Sequence, residues 1–332
     1  MPVCAIIVIG YNNIKARFGV CVGVVRPFDP WRNPLCPCPL KYGVNPYTGC
    51  GHRCVYCYIT SYIPKAFEPR PKDDLLRRAL DDLRKIPKGA VVSIANSSDP
   101  YTPPEAKLKL TRSLLEALLS RGYRVLLVTK SPLVLRDLDI LSKYPGQVAV
   151  QLTVTTLEDA LAERLEPLAP RPRARLIAVK RLAEAGIPVG VRLDPIIPYI
   201  NDGEEGLKAV VEAAAAAGAR QLVSSTYKAK PDNFARLAKA FPEAAERLRE
   251  TYFGRGKYIH GQWYAPAEYR LKVLSYVGSL SKSLGLEYNI CREEFLELNT
   301  PGTYCDGSHM LMPLNSPPQS FFDIGPQLGP PI

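Results

Sequence analysis

The chain has 332 residues, 46% of them hydrophobic, and a formal net charge of +11. That length holds one large α/β domain with appendages, or two ordinary domains, with a sizeable core. No unbroken apolar run is long enough to span a bilayer, which argues against a helical membrane protein, and nine cysteines without a visible secretion signal point to metal ligation over a disulfide framework.

Residues 5–9 form a short apolar run followed at once by Asn12, Asn13, Lys15 and Arg17, which predicts a buried strand and no signal peptide, hence a cytoplasmic protein. A Pro-rich connector over 27–39 contains Leu35-Cys36-Pro37-Cys38-Pro39. Next comes Asn45-Pro46-Tyr47-Thr48-Gly49-Cys50-Gly51-His52-Arg53-Cys54-Val55-Tyr56-Cys57-Tyr58. From there helices and strands alternate. Helices are predicted over 73–86, 105–120, from Pro132, over 176–185 with Gly186 as the stop, and over 204–217. Strands are predicted over 90–95, 124–128, 148–154, 188–193 and 221–224. Such alternation means βαβ units with right-handed crossovers and a parallel sheet. Five strands after the cysteine loop and one near it are too few for a closed eight-stranded barrel and give an open, partial one. From about residue 231 the pattern changes. Aromatic and basic residues interleave from Tyr252 to Tyr264, a helix follows over 266–284, and a strand over 286–290.

Polar groups collect at successive strand ends: Ser97, Ser98 and Asp99; Thr129 and Lys130; Thr153 and Thr155; Arg192 and Asp194. Ligands of open α/β sheets bind at the carboxyl ends of the strands. One such group is an ordinary cap; four consecutive strand ends after a cysteine loop predict a site.

The spacing C-x3-C-x2-C of Cys50, Cys54 and Cys57 suits a metal cluster gripped on one face. Three thiolates leave one iron of a 4Fe-4S cube open, whereas zinc and ferredoxin sites take four ligands. A structural zinc loop or three unrelated buried thiols are the alternatives. The motif, with the aromatic Tyr56 before its last cysteine, resembles that of the radical S-adenosylmethionine (radical SAM) superfamily. Asn45-Pro46-Tyr47-Thr48-Gly49-Cys50, Ser98-Asp99-Pro100-Tyr101, Thr129-Lys130-Ser131-Pro132, Thr153-Val154-Thr155-Thr156 and Pro195-Ile196-Ile197-Pro198 resemble the spore photoproduct lyase-like (DNA repair photolyase-like) branch.

The resemblance implies a partial (β/α)6 barrel of the radical SAM type over 45–230, with an N-terminal extension (1–44) and a C-terminal one (231–332). It implies a 4Fe-4S cluster on Cys50, Cys54 and Cys57, with S-adenosylmethionine chelated to the open iron and cleaved to a 5′-deoxyadenosyl radical. By the same resemblance Ser98 and Asp99 contact the methionyl amino group. Lys130 and Arg192 are carboxylate candidates, Thr153 and Thr155 reach the ribose, and the Tyr56 backbone lies beside the adenine. A reductant such as ferredoxin or flavodoxin is the implied partner. The sequence departs from the branch in one place. Spore photoproduct lyase has a hydrogen-donating cysteine near the second strand's end, where this chain reads Asn96-Ser97-Ser98, so thymine-dimer reversal is not assigned.

The net charge and the aromatic-basic run suggest nucleic acid as substrate or partner, although a generally basic surface fits the charge as well. A radical SAM enzyme acting on a peptide or small molecule, and a non-catalytic iron-sulfur or zinc module that binds nucleic acid, are the competing readings. Of the remaining cysteines, Cys4 and Cys21 read as core thiols. Cys36, Cys38, Cys291 and Cys305 make a four-thiolate set that would close a second site, an auxiliary iron-sulfur cluster or zinc; otherwise they are unpaired thiols, one of them a hydrogen relay.

Overall fold

The computed structural model of the protein describes residues 5–7, 18–20, 23–28, 33–94 and 97–312. Cys4, Cys21 and the tail beyond 312 lie outside the described residues. The main sheet has eight strands: β1 (Arg26–Pro27), β2 (Tyr42–Val44), β3 (Val91–Ile94), β4 (Arg124–Thr129), β5 (Val148–Thr153), β6 (Val189–Ile196), β7 (Gln221–Thr226) and β8 (Glu287–Ile290). They lie side by side in strict sequence order, antiparallel between β1 and β2 and parallel from β2 to β8. With right-handed crossovers, sequential parallel order returns every connection on the same side, as in a barrel opened along one seam. The six expected strands are β2 to β7. β8 adds a seventh parallel strand from the C-terminal region.

Strand alternation sorts the two faces of the sheet. Val92 and Ile94, Val125 and Leu127, Val150 and Leu152, Val191 and Leu193 join the main core with the helices. Their neighbours Ser93, Val128, Gln151, Thr153, Arg192 and Asp194 face a cavity of about 630 Å³. The helix Leu110–Leu119 shows why the helices sit where they do. Its Leu114, Leu115 and Leu118 are fully buried against the sheet. The expected 105–120 helix is two pieces, broken at Lys109 with φ +52°. The buried Glu105 carboxylate accepts the Thr111 N–H (3.0 Å) and the Tyr47 phenol (2.6 Å), so it caps the second piece from the first. The helix expected from 176 starts four residues earlier, with Pro172 at its first position, where proline costs no hydrogen bond.

Residues 304–311 floor the cavity. Met310 and Leu311 pack on Val91, Leu126 and Ala149. Gln151 donates to Gln221 (2.8 Å) and to the Cys305 carbonyl (3.1 Å), and Gln221 donates to the Tyr304 carbonyl (2.7 Å). Beside the main sheet, Lys228–Ala229, Gln262–Tyr264 and Lys257–Ile259 form a small antiparallel sheet.

The aromatic-basic run corrects an expectation. Tyr252 and Tyr264 are 0% exposed, and Tyr252 packs edge-on against Tyr227, while Phe253 packs against both Phe234 and Trp263. Of this run's aromatic rings only Tyr258 is largely exposed, at 59%. The run is a hydrophobic cluster that backs the cysteine loop through Cys54 and Tyr56, because rings at such spacing bury more apolar area against each other than a flat stacking platform would.

Candidate active site

The cysteine loop is fixed from several directions. Gly49 has φ +83°, and a Cβ there would lie 2.8 Å from the carbonyl oxygens of Ala66 and Glu68, so only glycine fits. The Cys50 N–H donates to the Ala66 carbonyl (2.8 Å), the Gly51 N–H to Thr102 Oγ1 (2.9 Å), the Val55 N–H to the Leu165 carbonyl (2.9 Å) and the Cys57 N–H to the Cys54 carbonyl (3.1 Å). From the helix Pro231–Ala240, Arg236 donates to the Cys57 carbonyl (2.6 Å) and Asn233 to the Tyr56 carbonyl (3.2 Å). Cys50, Cys54 and Cys57 all line the cavity. Burial pushes all three thiols up, Cys50 to about 12, with the Asp99 carboxylate adding to the shift.

Ser98, Asp99, Lys130, Thr153, Arg192 and Tyr56 line the same cavity. Asp99 is fully engaged: it accepts the Tyr101 N–H (2.9 Å), the Thr129 hydroxyl (2.6 Å) and the Lys130 N–H (2.8 Å), and lies 3.4 Å from His52 Nδ1. Ser98 donates to the Tyr47 carbonyl (3.0 Å). The Lys130 ammonium lies 4.0 Å from Glu166 and 5.6 Å from the centre of the Tyr56 ring. Burial disfavours that charge, but Cys54 and Glu166 outweigh burial and the Lys130 pKa is raised. Two expected site residues are held by other protein groups. Thr155 donates to Glu166 (3.2 Å) and sits behind the cavity wall. Arg192 donates to Asp194 (2.8 Å), Gln151 (3.0 Å) and the Cys305 carbonyl (3.1 Å), which sets it against the other cysteines.

Sequence reasoning missed the pair under the loop. Glu166 accepts the Tyr56 phenol and pairs with Arg175, and both side chains are essentially unexposed. Sequence reasoning named Asp194 but missed Lys228 and Arg292, whose charges act on it. In all, seven Lys and Arg residues line the cavity (Arg26, Lys41, Lys72, Lys130, Arg192, Lys228, Arg292) against three Asp (Asp99, Asp194, Asp306). Cys36, Cys38, Cys291 and Cys305 line it too. No helix among the described residues is long and apolar enough to cross a membrane.

Residues 44–211, half of the chain, match the model of the Radical SAM superfamily. The chain belongs to that superfamily. Its relatives include an uncharacterized protein of Acidianus two-tailed virus, 34% identical over 199 residues, covering 54% of this chain and 65% of the viral one. Another is an uncharacterized protein of Methanocaldococcus jannaschii, 34% identical over 183 residues, covering 54% and 68%. The chain thus spans a little under two thirds of the viral relative's length. Among solved structures, a spore photoproduct lyase variant with bound AdoMet and dinucleoside spore photoproduct matches with TM-score 0.60 at 20% identity, covering 78% of this chain and 79% of that one. Streptococcus suis SuiB bound to its precursor peptide matches with TM-score 0.50 at 15% identity, covering 75% and 48%. Both likenesses are of fold.

Membership of the radical SAM superfamily implies a 4Fe-4S cluster, S-adenosylmethionine and a reductant. The donor chemistry of the loop fits the cluster. Desolvation pushes all three thiols, buried Cys54 and half-buried Cys50 and Cys57, toward the neutral form, so thiolates there need a strong cation beside them, which iron supplies. Among the described residues no three His, Cys, Asp or Glu side chains close on a point as one metal ion requires. A cube takes one thiolate per iron and needs no common point.

Proposed function

We propose that the cavity is the active site of a radical SAM enzyme that abstracts a hydrogen atom from an anionic substrate, with Cys50, Cys54 and Cys57 as the cluster ligands. The observation that carries this reading is the loop itself: one buried and two half-buried cysteines on a clamped backbone, opening into the cavity that the polar strand ends line. When bound, the reduced cluster supplies the electron that cleaves S-adenosylmethionine to a 5′-deoxyadenosyl radical. Lys130 offers its ammonium to the methionyl carboxylate. Ser98 and the Tyr56 backbone carry the contacts that the resemblance assigns them, and Thr153 presents its polar side to the ribose. Asp99 holds the Thr129–Lys130 strand end in place, and Thr155 acts through Glu166. The buried walls exclude water and oxygen from the reaction.

The substrate class follows from charge. Arg26, Lys72 and Arg292 line the cavity with no ion pair among the described residues. This surplus and the net charge of +11 favour a phosphate-bearing substrate, nucleic acid among them. The buried aromatic run adds nothing to that case. Anaerobic reconstitution with iron and sulfide, reduction, and chromatography for 5′-deoxyadenosine test the activity. No 5′-deoxyadenosine from a preparation with full iron and sulfide content would sink the reading.

A further inference from the structure

Four thiols outside the loop come together from opposite ends of the chain. Cys36 and Cys38 belong to the Pro-rich connector, Cys291 follows β8, and Cys305 lies in the turn after it. All four are free and line one cavity. The Cys38 sulfur is 3.8 Å from that of Cys305. Cys36 and Cys291 pack against the same small cluster as that pair. Core packing alone gives no reason for four adjoining thiols, since a buried free cysteine acts as a small hydrophobe with a weak donor.

The backbone that presents them is fixed without help from the sulfurs. Asn33 turns the connector: its Oδ1 accepts the Leu35 N–H (2.9 Å) and its carbonyl the Cys36 N–H (3.0 Å). The Cys291 N–H donates to the Ser224 carbonyl (3.0 Å). The Cys305 carbonyl accepts from Gln151 and Arg192, both at 3.1 Å, and the next residue, Asp306, pairs with Lys41. Arg192 and Lys41 also place positive charge beside the sulfurs. Four soft thiolates are the donor set of zinc or an iron-sulfur cluster. Two thiolates about 2.3 Å from one tetrahedral metal lie about 3.8 Å apart, the separation of Cys38 and Cys305, and a two-iron, two-sulfide cluster takes two such thiolates on each iron.

We propose that Cys36, Cys38, Cys291 and Cys305 ligate an auxiliary iron-sulfur cluster in the wall of the substrate cavity, separate from the group held by the loop. Four protein ligands leave no open position, so this centre is structural or passes electrons and does not bind S-adenosylmethionine. It ties the N-terminal connector to the C-terminal turn.

The test uses the full chain with Cys50, Cys54 and Cys57 all changed to Ala, reconstituted anaerobically with iron and sulfide. That background separates this inference from the reading of the loop. The expected result is iron and acid-labile sulfide retained together with a cluster Mössbauer spectrum, and both lost on adding Cys38→Ser and Cys305→Ser. Zinc without sulfide, or a folded triple variant free of metal, overturns the proposal. If the quintuple variant does not fold by circular dichroism, Cys36→Ser in the triple background replaces it. A changed Mössbauer spectrum or a lower iron content is then expected, and an unchanged one overturns the assignment. A Cys38–Cys305 disulfide found by mass spectrometry in anaerobically isolated protein overturns it as well.

Discussion

Glu166→Gln tests whether the buried charges under the loop act as a unit. Glu166 meets the Tyr56 phenol, Thr155, Arg175 and, at 4.0 Å, Lys130. Burial pushes its carboxyl up, but Arg175 and Lys130 outweigh burial and the net shift is downward. Glutamine keeps the shape and can still accept from Tyr56, yet leaves both cations uncompensated in a buried site. Removing one partner of such a pair costs about 3–5 kcal/mol, and the retained hydrogen bond puts this case near the lower end, about 3 kcal/mol. With a urea m-value of about 3 kcal/mol/M for a chain of this size, the midpoint should fall by about 1 M in circular-dichroism titrations. Glu166→Gln/Arg175→Met removes the opposing charge and should recover most of that loss. The sign with pH is fixed as well. A carboxyl with a depressed folded pKa stabilises fully above its unfolded value, about 4.3, and loses that contribution as pH falls through the folded value. The gap between wild type and Glu166→Gln should therefore persist at pH 7, start to narrow below about pH 4 and vanish only below the depressed folded value. A midpoint shift under about 0.3 M at pH 7, or a double variant no better than the single, would refute the reasoning.

Lys130→Ala should keep the loop cluster's iron but weaken S-adenosylmethionine binding by calorimetry at least about tenfold, or about 1.4 kcal/mol; unchanged affinity removes Lys130 from the site. Gly49→Ala sets a methyl 2.8 Å from two carbonyls at φ +83° and should displace Cys50, so wild-type iron occupancy in that variant would contradict the clamped loop. Burial and the neighbouring Arg26 and Arg78 bring Lys72 down to about 8. Single-stranded DNA or RNA should therefore bind more tightly as pH falls from about 9 to 7 and Lys72 gains its proton, with a steep salt dependence. Lys72→Met should flatten that pH profile and reduce the salt slope by about one, and a profile identical to wild type would take Lys72 out of the binding surface.

The loop was legible because its chemistry is local: three cysteines and a glycine at positive φ lie within nine residues. The strands were legible because β4 to β7 carry alternating or continuous apolar runs between helices. What escaped is what tertiary packing decides. Glu166 and Arg175 flank or sit in helices, where a charged residue ordinarily reads as solvated, and only the fold shows that they face each other. Pairing within a single helix would have left an i,i+4 signal, but this pair spans two elements. Tyr252 and Tyr264 misled for the converse reason. Spacing alone does not say whether an aromatic stripe faces solvent or a second cluster, and the helix Pro231–Ala240 brings Phe234 against it. The second cysteine set reads from the sequence as one four-thiolate group. The meeting of its two halves requires β8 to enter the sheet beside β7.

The cavity's charge balance follows from how the walls are held. Each aspartate that lines it is committed to the protein: Asp99 to the Thr129–Lys130 strand end, Asp194 to Arg192 and Ser225, Asp306 to Lys41 and Ser308. Lys228 is likewise satisfied by Glu293, which Arg270 also grips at 2.9 Å in a fully buried pair. A ligand that enters meets Arg26, Lys72 and Arg292, which have no ion pair among the described residues. On the proposed reading the walls favour an anionic ligand. The aspartates that hold them cannot be removed to admit a cationic substrate without loosening the Thr129–Lys130 strand end, Arg192 and the Cys305 turn on which the proposed chemistry depends.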